Sequence, residues 1–155
     1  MTPAINAARK AKIAHQVHQY DHDPGAASYG LEAAEKLGLP ENRVFKTLVV
    51  AVNKNELVVG VLPVSSMLNM KALAKAVGAK KAAMAKPADV ERVTGYVLGG
   101  VSPLGQKKRL NTIIDDSART LPTIYVSAGR RGLQIELNPE DLIKLTGGSF
   151  AEIGQ

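Results

Sequence analysis

Two β-rich runs, Phe45 to Val52 (FKTLVVAV) and Glu56 to Leu62 (ELVVGVL), stand on either side of Asn53-Lys54-Asn55. Near-continuous Val, Leu and Ala without polar alternation is the pattern of a strand buried on both faces. The short asparagine-rich break between the runs predicts a hairpin. Around this hairpin the sequence alternates short helices and strands. Thr2 then Pro3 is an N-cap followed by a first-turn proline, predicting a helix to about Lys12. Ile13 to Tyr20 reads as a strand, Asp21 to Gly25 as a turn, and Leu31 to Leu37 as a helix closed by Gly38. Asn69 caps a predicted helix over Met70 to Val77, and Pro87 starts another that ends near Val93. Asn111 to Ile114, Thr123 to Val126 and Leu133 to Leu137 read as short strands. Asn138-Pro139-Glu140-Asp141 then opens a last helix. Interleaved strands and helices without a repeat or linker predict one α+β (mixed α/β) domain over residues 1–155.

A chain of 155 residues is long enough to bury roughly 70% of its unfolded surface. With no tryptophan and few aromatics, its core must be built from Val, Leu, Ile and Ala. The absence of cysteine excludes disulfides, thiolate metal sites and a cysteine nucleophile of the protein's own. No apolar run is long enough to span a bilayer, and the first residues lack the apolar centre of a signal peptide, so a cytoplasmic protein is expected. The net charge of +6 favours an anionic partner such as nucleic acid. Its clustering strengthens that reading, because Lys80–Lys81, Lys107–Lys108–Arg109 and Arg130–Arg131 all flank turn-rich segments.

The stretch Thr94 to Leu110, TGYVLGGVSPLGQKKRL, combines glycines at 99, 100 and 105 with a basic triplet. Glycine lets a backbone approach a ligand closely, and the triplet suits an anion. The pattern is neither a Rossmann nor a P-loop fingerprint. His15, His18 and His22 invite a metal reading, but a strand would point His15 and His18 to opposite faces. Hydrogen-bonded or solvated histidines are expected instead, with no metal and no organic cofactor. No GxSxG elbow supports a serine hydrolase. Lys46 stands out because it enters the apolar strand. It must either snorkel to the strand rim or face a polar cavity.

With FKTL at Phe45 to Leu48 and YVSAGRRGL at Tyr125 to Leu133, the central loop resembles the YbaK/EbsC family of Cys-tRNA(Pro) deacylases. These are relatives of the editing domain inserted in bacterial prolyl-tRNA synthetases, and the similarity runs nearly end to end. The resemblance implies a mixed, mostly antiparallel, barrel-like sheet surrounded by helices. It implies catalytic positions at Lys46 and Gly99, with Gly100, Ser102 and Pro103 completing a GxxxP loop whose backbone approaches the aminoacyl ester. Tyr20, Tyr29, Ser127 and Gln134 fall on substrate-binding positions, while Lys107, Lys108, Arg109, Arg130 and Arg131 are candidates for binding tRNA. Two positions depart from the pattern: Ala128 stands for a common glycine, and Gln134 for an aspartate found in some relatives.

The reaction implied is trans-editing of Cys-tRNA(Pro). In it the substrate's own thiol attacks the ester and leaves as a thiolactone, so a chain without cysteine is compatible. Prolyl-tRNA synthetase is the implied partner. A hydrolytic deacylase for Ala- or Ser-tRNA, or a non-catalytic RNA-binding or regulatory module, are the rival expectations.

Overall fold

The computed structural model describes residues 1–26 and 28–155. Its centre is the expected hairpin. β2 (Phe45–Val52) and β3 (Glu56–Pro63) pair antiparallel over their full length, from Phe45 opposite Pro63 to Val52 opposite Glu56. The turn between them needs left-handed backbone at Asn53 and Asn55, which asparagine tolerates better than most residues. β4 (Ala82–Met84) adds to the outer edge of β2. On the other side, β5 (Asn111–Asp115) pairs parallel with β3, and β8 (Ser149–Ala151) parallel with β5. A second, three-stranded antiparallel sheet runs in the order β1 (His15–Gln19), β7 (Leu133–Leu137), β6 (Ile124–Arg130). The expected mixed, mostly antiparallel α+β architecture is therefore present. The strands fall into two sheets, which a parallel bridge from Val44 to Tyr125 brings together.

The two faces of the hairpin enter different cores, as strand alternation requires. Val49, Val59 and Ile114 join the cluster between the two sheets, with Ala4 and Ile5 of α1 (Pro3–Lys10) and Leu142 of α5 (Pro139–Thr146). Val50, Val52, Val58 and Leu62 pack under Leu73 of α3 (Met70–Ala76) on the opposite face. Burying each such side chain contributes about 1.5–3 kcal/mol, which is how a chain so poor in aromatics holds together. Helix starts follow the caps read from the sequence. The side chains of Thr2, Asn69 and Asn138 accept the N–H groups of Ile5, Ala72 and Glu140. Ser28 caps α2 (Tyr29–Leu37) in the same way, and α4 (Pro87–Thr94) starts at its proline.

Several bounds differ from expectation. α1 stops at Lys10 because Ala11 caps it and Lys12 turns left-handed, so β1 begins only at His15. β6 starts at Ile124 and continues past Val126 to Arg130, through a register shift between Ser127 and Arg130. The three-residue strands β4 and β8 have no counterpart in the sequence reading. Such short strands are defined by the neighbour they pair with and not by their own pattern.

Candidate active site

A cavity of about 310 Å³ opens where the start of β2, the start of α2, the 98–101 loop and the β6–β7 turn converge. Lys46, Tyr20, Tyr29, Gly99, Ser127, Gln134, Arg130 and Arg131 all line it. These residues lie far apart in the sequence, and the bridge between Val44 and Tyr125 is what brings β2 against β6. Lys46 is half-buried. Its Nζ donates a hydrogen bond of 2.6 Å to the Ser66 carbonyl, and burial holds its ammonium below the usual lysine range. One proton of three is engaged there, so the ammonium keeps donors for an anionic or carbonyl oxygen. Burial above all, and the nearby Glu32 carboxylate, push the Tyr20 phenol up despite the hydrogen bond from backbone.

Two buried side-chain atoms among the described residues lack any hydrogen-bond partner, Thr47 Oγ1 and Gln134 Oε1, and both residues line this cavity. Buried polar atoms are rarely left unpaired, so an orphan pair at one cavity is the mark of a place for a ligand. Thr47 is the site residue that sequence reasoning missed, although it lies inside the quoted FKTL motif. An isolated threonine in an apolar strand looks like any β-branched core residue.

The mouth is built by a stack. The Arg131 guanidinium lies over the Tyr29 ring, 3.9 Å from its centroid, and donates to the Leu98 carbonyl at 3.3 Å. Tyr29 meets the His22 ring edge-on at 5.7 Å, and His22 hydrogen-bonds Glu32 at 2.7 Å. Glu32 is buried, which by itself disfavours its charge. The bonds from His22 and from the Asp23 N–H outweigh that and hold the carboxyl below its ordinary value.

The glycines of the central loop serve packing as well as the cavity. A Cβ on Gly99, whose φ is 88°, would stand 2.6 Å from both Tyr29 and Arg131. One on Gly100 would stand 2.9 Å from the Arg130 Cα. Gly99 still borders the cavity, whereas Gly100 is buried against the β6–β7 turn. Ser102 and Pro103 lie behind the wall. Ser102 is fully buried and its Oγ accepts the Leu104 N–H, so neither residue reaches the cavity. Ala128 is fully buried and its carbonyl accepts a hydrogen bond from Thr2 Oγ1, fixing β6 to the start of α1. Lys107, Lys108 and Arg109 are exposed and stand apart from the cavity. Lys108 and Arg109 share a cleft with Asn55 and Glu56 at the far end of the hairpin.

Chemically, the cavity offers a half-desolvated cation, hydroxyls and unpaired acceptors, but no activated nucleophile among the described residues. Ser127 Oγ accepts the Gly129 N–H. The histidine rings bond elsewhere: His15 to the Ile13 carbonyl, His18 to Glu136 and His22 to Glu32. Among the described residues no group of three or more His, Asp or Glu side chains is placed to hold a metal.

The fold superposes on the crystal structure of a protein provisionally described as a trans-editing enzyme for prolyl-tRNA synthetase. The TM-score is 0.85 at 22% identity, covering 99% of this chain and 95% of that one. In sequence, 120 residues are 50% identical to EbsC of Enterococcus faecalis, which carries the provisional name of a Cys-tRNA(Pro)/Cys-tRNA(Cys) deacylase. The match spans 77% of this chain and 73% of EbsC. A stretch of 97 residues, 63% of this chain, is 30% identical to 17% of the proline–tRNA ligase of Trichlorobacter lovleyi. Residues 23–145 match the family described as the aminoacyl-tRNA editing domain, and the chain belongs to that family. Among the described residues, no helix is long and apolar enough to cross a membrane.

Proposed function

We propose that the protein is a cytoplasmic trans-editing deacylase, one domain over residues 1–155, that clears cysteine from mischarged tRNA(Pro). The observation that carries this reading is the cavity itself: the Lys46 ammonium and two unpartnered acceptors converge where no side-chain nucleophile is activated. The name of EbsC, 50% identical, supports the substrate. The substrate's thiol sulfur attacks its own ester carbonyl carbon. The bond from that carbon to the ribose oxygen breaks, the thiol proton ends on the ribose oxygen, and cysteine leaves as a thiolactone. Lys46, with Gly99 at the cavity edge, stabilises the negative charge that develops on the carbonyl oxygen. Tyr20, Tyr29, Ser127 and Gln134 hold the aminoacyl group and terminal ribose, while Arg130 and Arg131 meet the phosphate that follows. Positioning alone supplies on the order of 7–11 kcal/mol in good cases, so no protein nucleophile is needed. Discrimination among tRNA bodies falls to a partner, for which prolyl-tRNA synthetase is the candidate.

The rival reading is a hydrolytic deacylase for alanyl or seryl groups. One experiment separates the two: Cys-tRNA(Pro) and its S-methylated counterpart are compared under single turnover. Attack by the substrate thiol predicts rapid cleavage of the first, negligible cleavage of the second, and early trapping of thiolactone. Attack by water needs only the ester, and a methyl-sized change is worth about 10–200-fold at most, so measurable cleavage of both without thiolactone sinks the thiol mechanism.

A further inference from the structure

Of the basic clusters scattered in the sequence, Arg130–Arg131 reaches the cavity, whereas Lys80–Lys81 and Lys107–Lys108–Arg109 do not. Lys80 and Lys81 are held to the β2–β3 turn by Asn53, whose Oδ1 accepts the Lys80 N–H at 3.0 Å and whose N–H donates to the Lys81 carbonyl at 3.1 Å. With Lys71 of α3 they line an open cleft on one face of the hairpin, a cleft whose described lining carries no acidic residue. On the other face Arg92, Lys108 and Arg109 line a second cleft with a single acid, Glu56. Asn55 borders both clefts, and Lys54 sits at the tip between them. The cations are exposed, and among the described residues Lys54, Lys71, Lys80, Lys81 and Lys108 enter no ion pair. The loops that carry them are anchored through backbone while the ammonium groups face solvent. The Lys107 and Lys108 N–H groups bond to the Thr94 and Val93 carbonyls at 2.9 and 3.2 Å.

We infer that the tip of this hairpin is a docking surface for the phosphodiester backbone of an RNA stem, separate from the cavity that takes the 3′ end. At roughly 3.3 Å per residue, the eight residues of β2 set the tip on the order of 20 Å from Lys46. One RNA molecule bridges that distance, and the tip then engages a part of it that the cavity never touches. Two basic clefts flanking one protruding turn match a polyanion of regular charge spacing better than a compact ligand, and lysines act there as point charges on phosphates. The identity of that RNA as the tRNA of the proposed reaction rests on the editing reading; the surface itself does not.

The test uses the whole protein and a variant carrying Lys54→Gln, Lys71→Gln, Lys80→Gln and Lys81→Gln, titrated with labelled uncharged tRNA between about 50 and 200 mM salt. Each phosphate left without its lysine should reduce the slope of log K against log salt by about 0.7–0.9, giving a difference of about 3 for the four substitutions. Cleavage of an aminoacylated trinucleotide, too short to reach the tip, should stay at the wild-type rate. A wild-type slope in the variant overturns the proposal and leaves the patch to an acidic protein surface. A flattened slope with equal loss on the trinucleotide also overturns it, since the damage would then be general. Failure of both proteins to cleave the aminoacylated trinucleotide, with the slope difference intact, would refute the editing reading while supporting the docking surface.

Discussion

Lys46 is where one side chain decides most. Its strand is core on both sides, at Phe45 and again from Val49, and the ammonium sits half-desolvated in the cavity with the Ser66 carbonyl as its protein partner. Burial disfavours the charged form, so the residue contributes little to stability at neutral pH. Lys46→Ala should therefore leave thermal unfolding within about 1 kcal/mol of wild type, since surface-accessible changes away from a packed contact rarely cost more. The same variant should lose at least about 100-fold in single-turnover deacylation, the scale of removing one donor to a developing charge. A folded variant with wild-type turnover would return Lys46 to a rim role.

At the scale of elements, the central loop is gripped from three sides. Gly105, Gly100 and Gly99 touch α1, the β6–β7 turn and the Tyr29–Arg131 stack, and a Cβ at any of them would overlap those neighbours. The contacts differ in kind. At Gly100 the obstacle is Arg130 backbone, whereas at Gly99 it is two side chains with room to turn away. Gly100→Ala is expected to cost about 1–3 kcal/mol in urea unfolding, whatever stands at positions 29 and 131. Gly99→Ala should be partly rescued by Tyr29→Ala, leaving the overlap with Arg131 and the roughly 1–2 kcal/mol that an L residue pays for left-handed backbone. Equal cost in both backgrounds would show that the stack does not press on Gly99.

For the whole molecule, acid is the revealing condition. Asp115 is buried, which opposes its charge. The Ser117 hydroxyl and the Ile153, Gly154 and Ser117 N–H groups outweigh that and hold its carboxyl below the ordinary 3.8. Through Ile153 and Gly154 it ties β5 to the end of the chain, where Met67 and Gln155 exchange backbone hydrogen bonds beside the Ser66 that holds Lys46. Glu136 is held below 4.5 by bonds from Thr123 and His18 despite its burial, and Glu32 by His22 and Asp23. A folded-state pKa lowered in this way contributes stability that is present above the unfolded value and lost as pH falls through the folded one. Unfolding free energy should hence be level near neutrality and drop below about pH 4.5. Asp115→Asn should be less stable than wild type at pH 7, by about 1–3 kcal/mol, and the gap should close on acidification. A constant gap from neutral to acid pH would show that the Asp115 charge contributes nothing.

What the chain determines locally was legible without the structure. The hairpin, the capped helix starts at Thr2, Asn69 and Asn138, and the anomaly of a lysine entering an apolar strand all depend on neighbours a few residues away, where propensity and capping act. The tertiary structure alone decided the rest. It made β4 and β8 strands by giving them partners, and it paired β3 with β5 in parallel across more than forty intervening residues. It buried Ser102 behind the wall that its motif suggested it would line, and turned Thr47 from an apparent core residue into a cavity acceptor. It also sent Arg130 and Arg131 to the cavity mouth and Lys80, Lys81 and Lys108 to the hairpin tip, although all three clusters look alike in sequence. The reason is physical: an exposed cation's position is set by whichever distant backbone anchors its loop, and no local pattern records that anchor.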